Sequence, residues 1–244
     1  MAKKSKPDPI KELASSLTDG YRHRPDEMLR FFLSKIMSDW GLPEWISVPE
    51  SARPLVEKAI AAYAQAVRVS APFSDILGPL YMELASHGGR QALGQFFTPW
   101  PVAQMMSALT FGMTTEREGD GLLRTIDPAC GSGVMMLSAA NFILCRDGPD
   151  TLRRWSFCGV DLDPFCARMM ATQFIATCAE HKVHVGELVV LRGNSLMSDM
   201  DGLEVIVHAS APAVEVAHAK HPARLAAIKE VAMAAQLNLF EQVA

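Results

Sequence analysis

Residues Thr125 to Leu137 read TIDPACGSGVMML. A short apolar run ends at the acid Asp127. Pro128 and two small residues then lead to the triplet Gly131-Ser132-Gly133 and a second apolar run. The pattern predicts a β-strand, a tight glycine turn and the start of a helix. Glycines let a backbone adopt positive φ and approach a ligand closely, and the first helical turn offers unpaired N–H groups. The turn is therefore either a plain tight turn or the nucleotide-like ligand site of a doubly wound α/β sheet.

Composition is that of a globular protein, because 49% of the 244 residues are hydrophobic and 20% are charged. The formal net charge of -4 excludes a general electrostatic attraction to nucleic acid, so a DNA contact would need a local basic patch. The five cysteines form no CxxC pair and no signal peptide is visible, which predicts reduced thiols, no metal site and a cytoplasmic location. No apolar run reaches the roughly 20 residues of a membrane span, so no membrane partner is expected.

The chain before the glycine turn is predicted to be helical. Residues 1–12, MAKKSKPDPIKE, are basic and broken by prolines, which favours a mobile tail. Apolar residues at helical spacing then predict helices from about Asp26 to Trp40, from Pro54 to Val67 and within residues 73–87. We expect three regions, which are a tail and helical domain over 1–90, a ligand-binding domain over 91–213, and a helix and tail over 214–244.

The stretch Asp127-Pro-Ala-Cys-Gly-Ser-Gly133 resembles the S-adenosylmethionine loop of DNA adenine N6-methyltransferases. The chain is most similar to the methylation subunits of type I restriction-modification systems, over residues from about 70 to 207. This resemblance implies a class I S-adenosylmethionine-dependent (Rossmann-like) α/β sheet, shortened here to four readable strands, behind an N-terminal helical domain. It also implies S-adenosylmethionine as the cofactor and DNA as a partner.

Two further phrases resemble cofactor motifs of the same family. Gly94-Gln-Phe-Phe-Thr-Pro99 is similar to Gly-Gln-Phe-Tyr-Thr-Pro, which closes over the methionine end of the cofactor. Gly159-Val-Asp161 is similar to Gly-x-Glu, and an acid at the tip of a second strand can accept hydrogen bonds from both ribose hydroxyls. Asp163 is instead predicted to cap the next helix, with Pro164 in its first turn.

The loop after the third predicted strand, Arg192-Gly-Asn-Ser-Leu196, resembles the family's Gly-Asp-x-Leu, whose acid meets the amine of the cofactor's adenine. Asn194 can accept that N–H through its side-chain carbonyl, although a loop asparagine is also a common turn residue. The cofactor-binding residues implied by the resemblance are Phe96, Phe97, Thr98, Asp127, Ala129, Gly131, Ser132, Gly133, Asp161, Leu162, Asn194 and Ser195.

The fourth family motif is degraded in this chain. The family carries Asn-Pro-Pro-Tyr or Asn-Pro-Pro-Phe after the fourth strand, where the amide and the first proline carbonyl accept the hydrogens of a flipped adenine and the ring stacks on it. After a strand predicted over Leu203–Val207, this chain reads HASAPA, in which Ser210 is shorter than asparagine and Ala213 cannot stack. We therefore expect impaired methyl transfer. No catalytic residue is assigned, and the degenerate motif is marked by His208, Ser210 and Pro212.

Two other functions stay open for a chain with this defect. One is a non-catalytic, DNA-associated regulatory or interaction protein that uses the methyltransferase fold. The other is a methyltransferase for a different acceptor, with a rebuilt pocket around His208 and Ser210.

The C-terminal region suggests further partners. Residues Pro222–Gln236 predict an alanine-rich helix, followed by Gln236-Leu237-Asn-Leu239-Phe240. This peptide resembles the Gln-Leu-Ser/Asp-Leu-Phe motif that docks bacterial replication and repair proteins in an apolar groove of the sliding clamp. An apolar helix end packed on the body is the equal alternative. The free edge of a shortened sheet would be covered by this segment, by a second copy of the chain or by a modification-system subunit.

Overall fold

The computed structural model describes residues 8–19, 22–84, 97–112, 122–196 and 202–210. Four helices form an N-terminal helical layer, namely α1 (Pro9–Thr18), α2 (Pro25–Asp39), α3 (Arg53–Val69) and α4 (Leu77–Leu84). The prediction that this part of the chain is helical is therefore confirmed for the described residues. The limits 1–90, 91–213 and 214–244 of the three regions stay predictions.

The expectation of a mobile tail over the first twelve residues was wrong from residue 8 onward. Helix α1 begins at Pro9, where Asp8 Oδ1 accepts a hydrogen bond from the Ile10 N–H at 3.1 Å. Leu13 and Leu17, one turn apart on the helix, are fully buried. The helix was not predicted because the segment is basic and rich in proline, and because only two large apolar residues mark its buried face.

The second part of the chain alternates helices and strands around one sheet. Its elements, in chain order, are α5 (Trp100–Gly112), β1 (Leu123–Asp127), α6 (Val134–Leu152), β2 (Trp155–Asp161), α7 (Pro164–His181), β3 (Glu187–Arg192) and β4 (Glu204–Ser210). The strand order is β1-β2-β3-β4, with β1, β2 and β3 parallel and β4 antiparallel to β3. The expected α/β class with a shortened sheet is confirmed.

The helices α5, α6 and α7 share one face of this sheet. Successive parallel strands joined by right-handed crossovers in one direction place their helices on the same side. Trp155 of β2 packs edge-on against Phe111 of α5, and Phe157, two residues along the same face, packs on Phe174 of α7. Gly148 breaks α6 with φ 82° and ψ 175°.

The helical layer packs on α7 and α6 and shares a continuous hydrophobic core with them. Phe73, which precedes α4, contacts Phe174 at 5.5 Å between ring centroids. Arg68 of α3 forms a 2.9 Å ion pair with Glu180 of α7, and Asn141 of α6 donates to the Pro72 carbonyl at 2.8 Å. These contacts fix the layer directly over the helices that flank the glycine turn.

Strand β4 is longer than the sequence predicted and runs in the opposite direction to its neighbour. It continues to Ser210, three residues beyond the predicted end at Val207, so His208 and Ser210 belong to the strand. Because β4 runs antiparallel to β3, Ser210 lies opposite Glu187, at the edge of the sheet where the parallel strands begin. Pro212 and the rest of the C-terminal region lie outside the described residues. In the described ranges, no helix has the length and apolar character needed to cross a membrane.

Candidate functional site

Three loops meet at the edge where β1, β2 and β3 end. The Cys130 N–H, in the glycine turn after β1, donates to the Val160 carbonyl of β2 at 2.9 Å. The Gly193 N–H, in the loop after β3, donates to the Asp161 carbonyl at 2.9 Å. These two hydrogen bonds therefore hold the glycine turn, the acid that ends β2 and the loop after β3 side by side.

The glycine turn has a backbone that only glycine fits at two positions. Gly131 has φ 54° and Gly133 has φ 90°, both in the left-handed region. A Cβ atom on Gly131 would lie 3.0 Å from the Phe97 ring, and one on Gly133 would lie 2.6 Å from Met170 Cγ and 3.2 Å from its Cα. The turn is therefore packed between Phe97 and α7, and α6 begins immediately after it at Val134.

Asp161 presents its carboxylate to the turn. Its Oδ2 accepts from the Gly131 N–H at 2.8 Å, and its Oδ1 accepts from the Asp163 N–H at 2.9 Å. Desolvation by burial raises the pKa of Asp161, and these hydrogen bonds partly oppose that rise. A carboxylate has about four acceptor positions, so acceptor capacity remains on this half-buried group. Such a group can take the two hydroxyls of a vicinal diol.

Asp163 has the separate role that the sequence predicted for it. Its Oδ1 accepts from the Phe165 N–H at 2.9 Å and so caps α7, with Pro164 in the first turn. The two acids that end and follow β2 thus do different work. Asp161 faces the glycine turn, and Asp163 faces the helix.

A second carboxylate and an exposed apolar side chain adjoin Asp161. Asp127, at the end of β1, accepts from the Ala129 N–H at 3.0 Å. Burial raises the pKa of Asp127, and the negative charge of Asp161 adds to the rise. Leu162 follows Asp161 and is 71% exposed. The edge therefore combines negative charge, acceptor oxygens and an uncovered apolar surface.

The remaining residues expected at the cofactor divide into two groups. Phe97 stacks on Tyr81 of α4, with ring centroids 5.3 Å apart, and lies over Gly131, while Thr98 is partly buried beside it. Asn194 is exposed after β3, where its Oδ1 accepts from the Leu196 N–H at 3.0 Å in a turn, and Ser195 is exposed next to it. Phe96 lies outside the described residues.

Ser132, in the centre of the turn, faces away from the open edge. It is fully buried, and its hydroxyl donates to Asp75 Oδ2 of the helical layer at 3.2 Å. Its side chain therefore contacts protein, and only its backbone is shared with the turn. The sequence analysis missed two residues near Ser132. One is Asp75, which has the position of an ordinary helix cap. The other is Gln173, a polar residue of the apolar helix α7, whose amide donates to Asp75 and to the Ser132 carbonyl. The single glutamine on this apolar helix was the sequence feature that could have indicated a buried polar contact.

His208 and Ser210 lie at the opposite edge of the sheet. His208 Nε2 is 3.2 Å from Glu187 Oε1, and the Ser156 hydroxyl donates to the other oxygen of this buried carboxylate. Glu187 begins β3 and Arg192 ends it, so the two edges are about 16 Å apart at 3.3 Å per residue. The structure does not bring His208 or Ser210 to the glycine turn.

Three of the buried thiols are poor nucleophiles. Burial raises the pKa of the Cys130 and Cys166 thiols, and it raises the pKa of Cys178 to about 12. These thiols are therefore protonated and unreactive at neutral pH. Within the described part of the chain, no group of three or more His, Cys, Asp or Glu side chains could hold a metal ion.

Comparison with known families gives a match over the whole of this site. A family model described as N-6 DNA methylase matches residues 72–212, which is more than half of the chain. The chain belongs to the N-6 DNA methylase family.

Other comparisons are more distant. No curated protein matches this chain. A crystal structure assigned to a class I S-adenosylmethionine-dependent methyltransferase of Listeria monocytogenes matches at 13% sequence identity and a TM-score of 0.45. The match covers 79% of this chain and 55% of that one. The chain thus spans little more than half the length of the solved protein, and a likeness at this score carries no argument about the site.

Proposed function

We propose that this N-6 DNA methylase relative binds S-adenosylmethionine at the edge of the sheet where β1, β2 and β3 end. The observation that carries the proposal is Asp161, whose carboxylate accepts from the Gly131 N–H and keeps acceptor capacity beside a glycine-lined turn. A ribose diol needs two acceptors at one place, and a cofactor pressed against a backbone needs glycine. The Asp161 carboxylate and the Gly131 backbone meet these two needs, and a hydrogen bond joins them to each other.

The chemistry of the surrounding residues suits the rest of the cofactor. S-adenosylmethionine carries an ammonium and a sulfonium, which the carboxylates Asp127 and Asp161 would stabilise electrostatically. The exposed side chain of Leu162 offers an apolar contact for the adenine, and Asn194 and Ser195 offer polar groups for its edge. Phe97 and Thr98 would enclose the methionine end. When bound, the cofactor supplies an electrophilic methyl group, and these residues bind and orient it.

We further propose that the chain alone does not methylate adenine efficiently. The reaction needs oriented acceptors for the two amine hydrogens and a ring that stacks on the flipped base. His208 and Ser210 belong to β4 and pair with β3 at the other edge of the sheet, which supports this proposal. Loss of a stacking ring costs on the order of 1–3 kcal/mol per base. Loss of an oriented hydrogen-bond group costs about a hundredfold or more in rate.

A DNA-associated regulatory or interaction protein is the second function. It would retain the cofactor edge and act without transferring the methyl group. DNA, a second copy of the chain and modification-system subunits are its candidate partners. The C-terminal peptide with Gln236, Leu237, Leu239 and Phe240, which lies outside the described residues, is proposed to recruit the bacterial sliding clamp.

Calorimetric titration with S-adenosylmethionine tests the cofactor proposal. Asp161→Ala should weaken binding at least roughly tenfold, because hydrogen bonds to a charged group contribute about 1.5–3 kcal/mol each. Asp8→Ala is the matched control, since this acid also accepts from a backbone N–H but caps α1, far along the chain from the site. Equal, tight binding by wild type and Asp161→Ala would remove Asp161 from the site.

Transfer of a tritiated methyl group to unmethylated genomic DNA separates the two functions. The lone chain should give little or no N6-methyladenine above background. Robust N6-methyladenine formation would show that the degenerate motif still works and that the regulatory function is unnecessary.

A pull-down with the sliding clamp tests the recruitment proposal. The wild-type chain should retain the clamp, and the double variant Leu239→Ala/Phe240→Ala should lose it because both apolar anchors are removed. No retention by wild type, or equal retention by both, rules against this docking.

A further inference from the structure

A buried polar cluster connects the helical layer to the glycine turn. It consists of Asp75, which precedes α4, Gln173 of α7 and Ser132 of the turn. Asp75 Oδ1 accepts from Gln173 Nε2 at 2.8 Å, and its Oδ2 accepts from the Ser132 hydroxyl at 3.2 Å. Asp75 and Gln173 are 98 residues apart in the chain. The contact therefore exists only when the helical layer is docked.

The amide of Gln173 uses all of its hydrogen-bonding capacity in this cluster. Its Oε1 accepts from the backbone N–H groups of Ile76 and Leu77 at 2.7 and 3.0 Å. Its Nε2 donates to Asp75 and to the Ser132 carbonyl, the latter at 2.9 Å. A primary amide has two donor hydrogens and two acceptor lone pairs, so this side chain is fully satisfied and has one defined orientation. It is a rigid link between α4 and the turn.

Gly78 allows Asp75 and Ser132 to approach each other closely. A Cβ atom on Gly78 would lie 2.3 Å from Asp75 Oδ2 and 2.7 Å from the Ser132 hydroxyl oxygen. A side chain at position 78 would thus displace the carboxylate from Ser132. The Gly78 N–H also donates to Asp75 Oδ1 at 2.9 Å, which orients the carboxylate toward the turn.

Ser132 is the residue through which the cluster reaches the site. Its carbonyl and its hydroxyl are both bonded, and it stands between Gly131 and Gly133, which have positive φ. Glycine loses more conformational freedom on ordering than any other residue, so a turn with two glycines has a large entropy to lose on binding a ligand. Fixing the residue between them orders the turn in advance.

We propose that Asp75 is a positioning residue, which holds the glycine turn in its binding conformation through Ser132 and Gln173. Cofactor affinity then depends on the docking of the helical layer, and Asp75 acts on the cofactor only through the turn. This inference rests on the proposed binding of S-adenosylmethionine. A plain capping role for Asp75, through the Gly78 N–H, would instead lower stability and leave cofactor affinity unchanged.

The test is the dissociation constant of S-adenosylmethionine for a set of variants of the full chain. Asp75→Ala and Ser132→Ala should each weaken binding roughly five- to fiftyfold. In these variants the turn is no longer ordered in advance, so part of the binding free energy is used to order it. The double variant should bind about as weakly as the weaker single variant, because both substitutions break the same connection.

Two further variants separate positioning from loss of fold. Asp75→Asn keeps an acceptor for Gly78 and Gln173 and offers an N–H to the Ser132 hydroxyl, so it should recover affinity to within a few-fold of wild type. Ser34→Ala is the matched control, because Ser34 is a buried residue of the same layer whose hydroxyl donates to the Ile46 carbonyl at 2.7 Å. It should reduce stability and leave affinity unchanged.

Hydrogen exchange of the ligand-free protein makes the result independent of the cofactor. The amides of Gly131 and Gly133 bond to Asp161 and to the Cys130 carbonyl, and they should exchange several-fold faster in Asp75→Ala than in wild type or Ser34→Ala. Unchanged exchange, or affinities equal to wild type, overturns the positioning role. Absence of binding by wild type together with faster exchange overturns the proposed function instead.

Discussion

The two edges of the sheet carry similar polar residues in opposite environments. At the edge with the glycine turn, Asp161 is half-buried and keeps acceptor capacity. At the opposite edge, Glu187 is almost fully buried and is bonded to His208 and Ser156. The first arrangement leaves groups for a ligand, whereas the second satisfies its polar groups within the protein. The difference separates a site from a structural pair, although each contains an acid at a strand end.

The largest effect on the first edge is expected from Gly133→Ala. The new Cβ would combine a left-handed backbone with a clash against Met170, so we expect a loss of about 2–5 kcal/mol in unfolding free energy and loss of cofactor binding. Urea denaturation and calorimetry measure the two. Gly148→Ala reports backbone strain without a clash, because its φ is also positive, its ψ of 175° makes an alanine there at least as strained, and nothing lies within 4 Å of its Cβ. Cofactor binding should survive in Gly148→Ala, and binding that survives in Gly133→Ala as well would show that the turn tolerates a side chain.

Glu187→Ala should lower stability at the second edge and leave cofactor binding at the first edge unchanged. It leaves Ser156 and His208 without their acceptor in a buried environment, so we expect a loss of about 2–4 kcal/mol in unfolding free energy. Cofactor affinity should stay at the wild-type value, since the two edges are separated by the length of β3. A parallel fall in affinity would mean that the edges are coupled and that the comparison fails.

His208→Ala should have a smaller effect of the same kind. It removes one bond to Glu187 and leaves the bond from Ser156, so the expected loss is about 1 kcal/mol of unfolding free energy. Neither cofactor affinity nor the low level of methyl transfer should change. If methyl transfer is present in wild type and disappears in this variant, His208 is a catalytic base and not a strand-pairing residue.

The smallest effect concerns pH. The pKa of Asp161 and of Asp127 is raised in the folded protein, chiefly by burial, so the protonated acids favour folding. Their contribution to stability is complete below the pKa of the unfolded chain and is lost as pH rises through the folded pKa. Asp127→Asn keeps the Oδ1 acceptor for the Ala129 N–H, so it should stabilise the protein at pH 7 relative to wild type, and the difference should vanish at low pH. Thermal unfolding between pH 3 and 7 checks this, and a variant less stable than wild type at pH 7 would contradict it.

The local parts of the site could be predicted from sequence because they depend on neighbouring residues. The strand, the turn and the helix around Gly131 follow from residue order, and the Asp163 cap was predicted and is confirmed. The α/β sheet was implied by the family resemblance, and the local apolar runs allowed four of its strands to be recognised.

The non-local parts could not be predicted in the same way. The apolar run over 203–207 fits either direction of pairing, so nothing in it reveals that β4 lies antiparallel outside β3. The link from Asp75 to Gln173 joins residues far apart in the chain, and each has an ordinary local explanation. Helix α1 was missed because proline and basic residues outweighed the short apolar side formed by Leu13 and Leu17.

The most direct measurement is a crystal structure of the chain grown with S-adenosylmethionine. We expect density for the cofactor in the glycine turn, with its ribose hydroxyls within hydrogen-bonding distance of the Asp161 carboxylate. The Phe97 ring should lie at the methionine end. A turn filled by the protein's own side chains, with Phe97 still closed over Gly131 and no cofactor beside Asp161, would contradict the account.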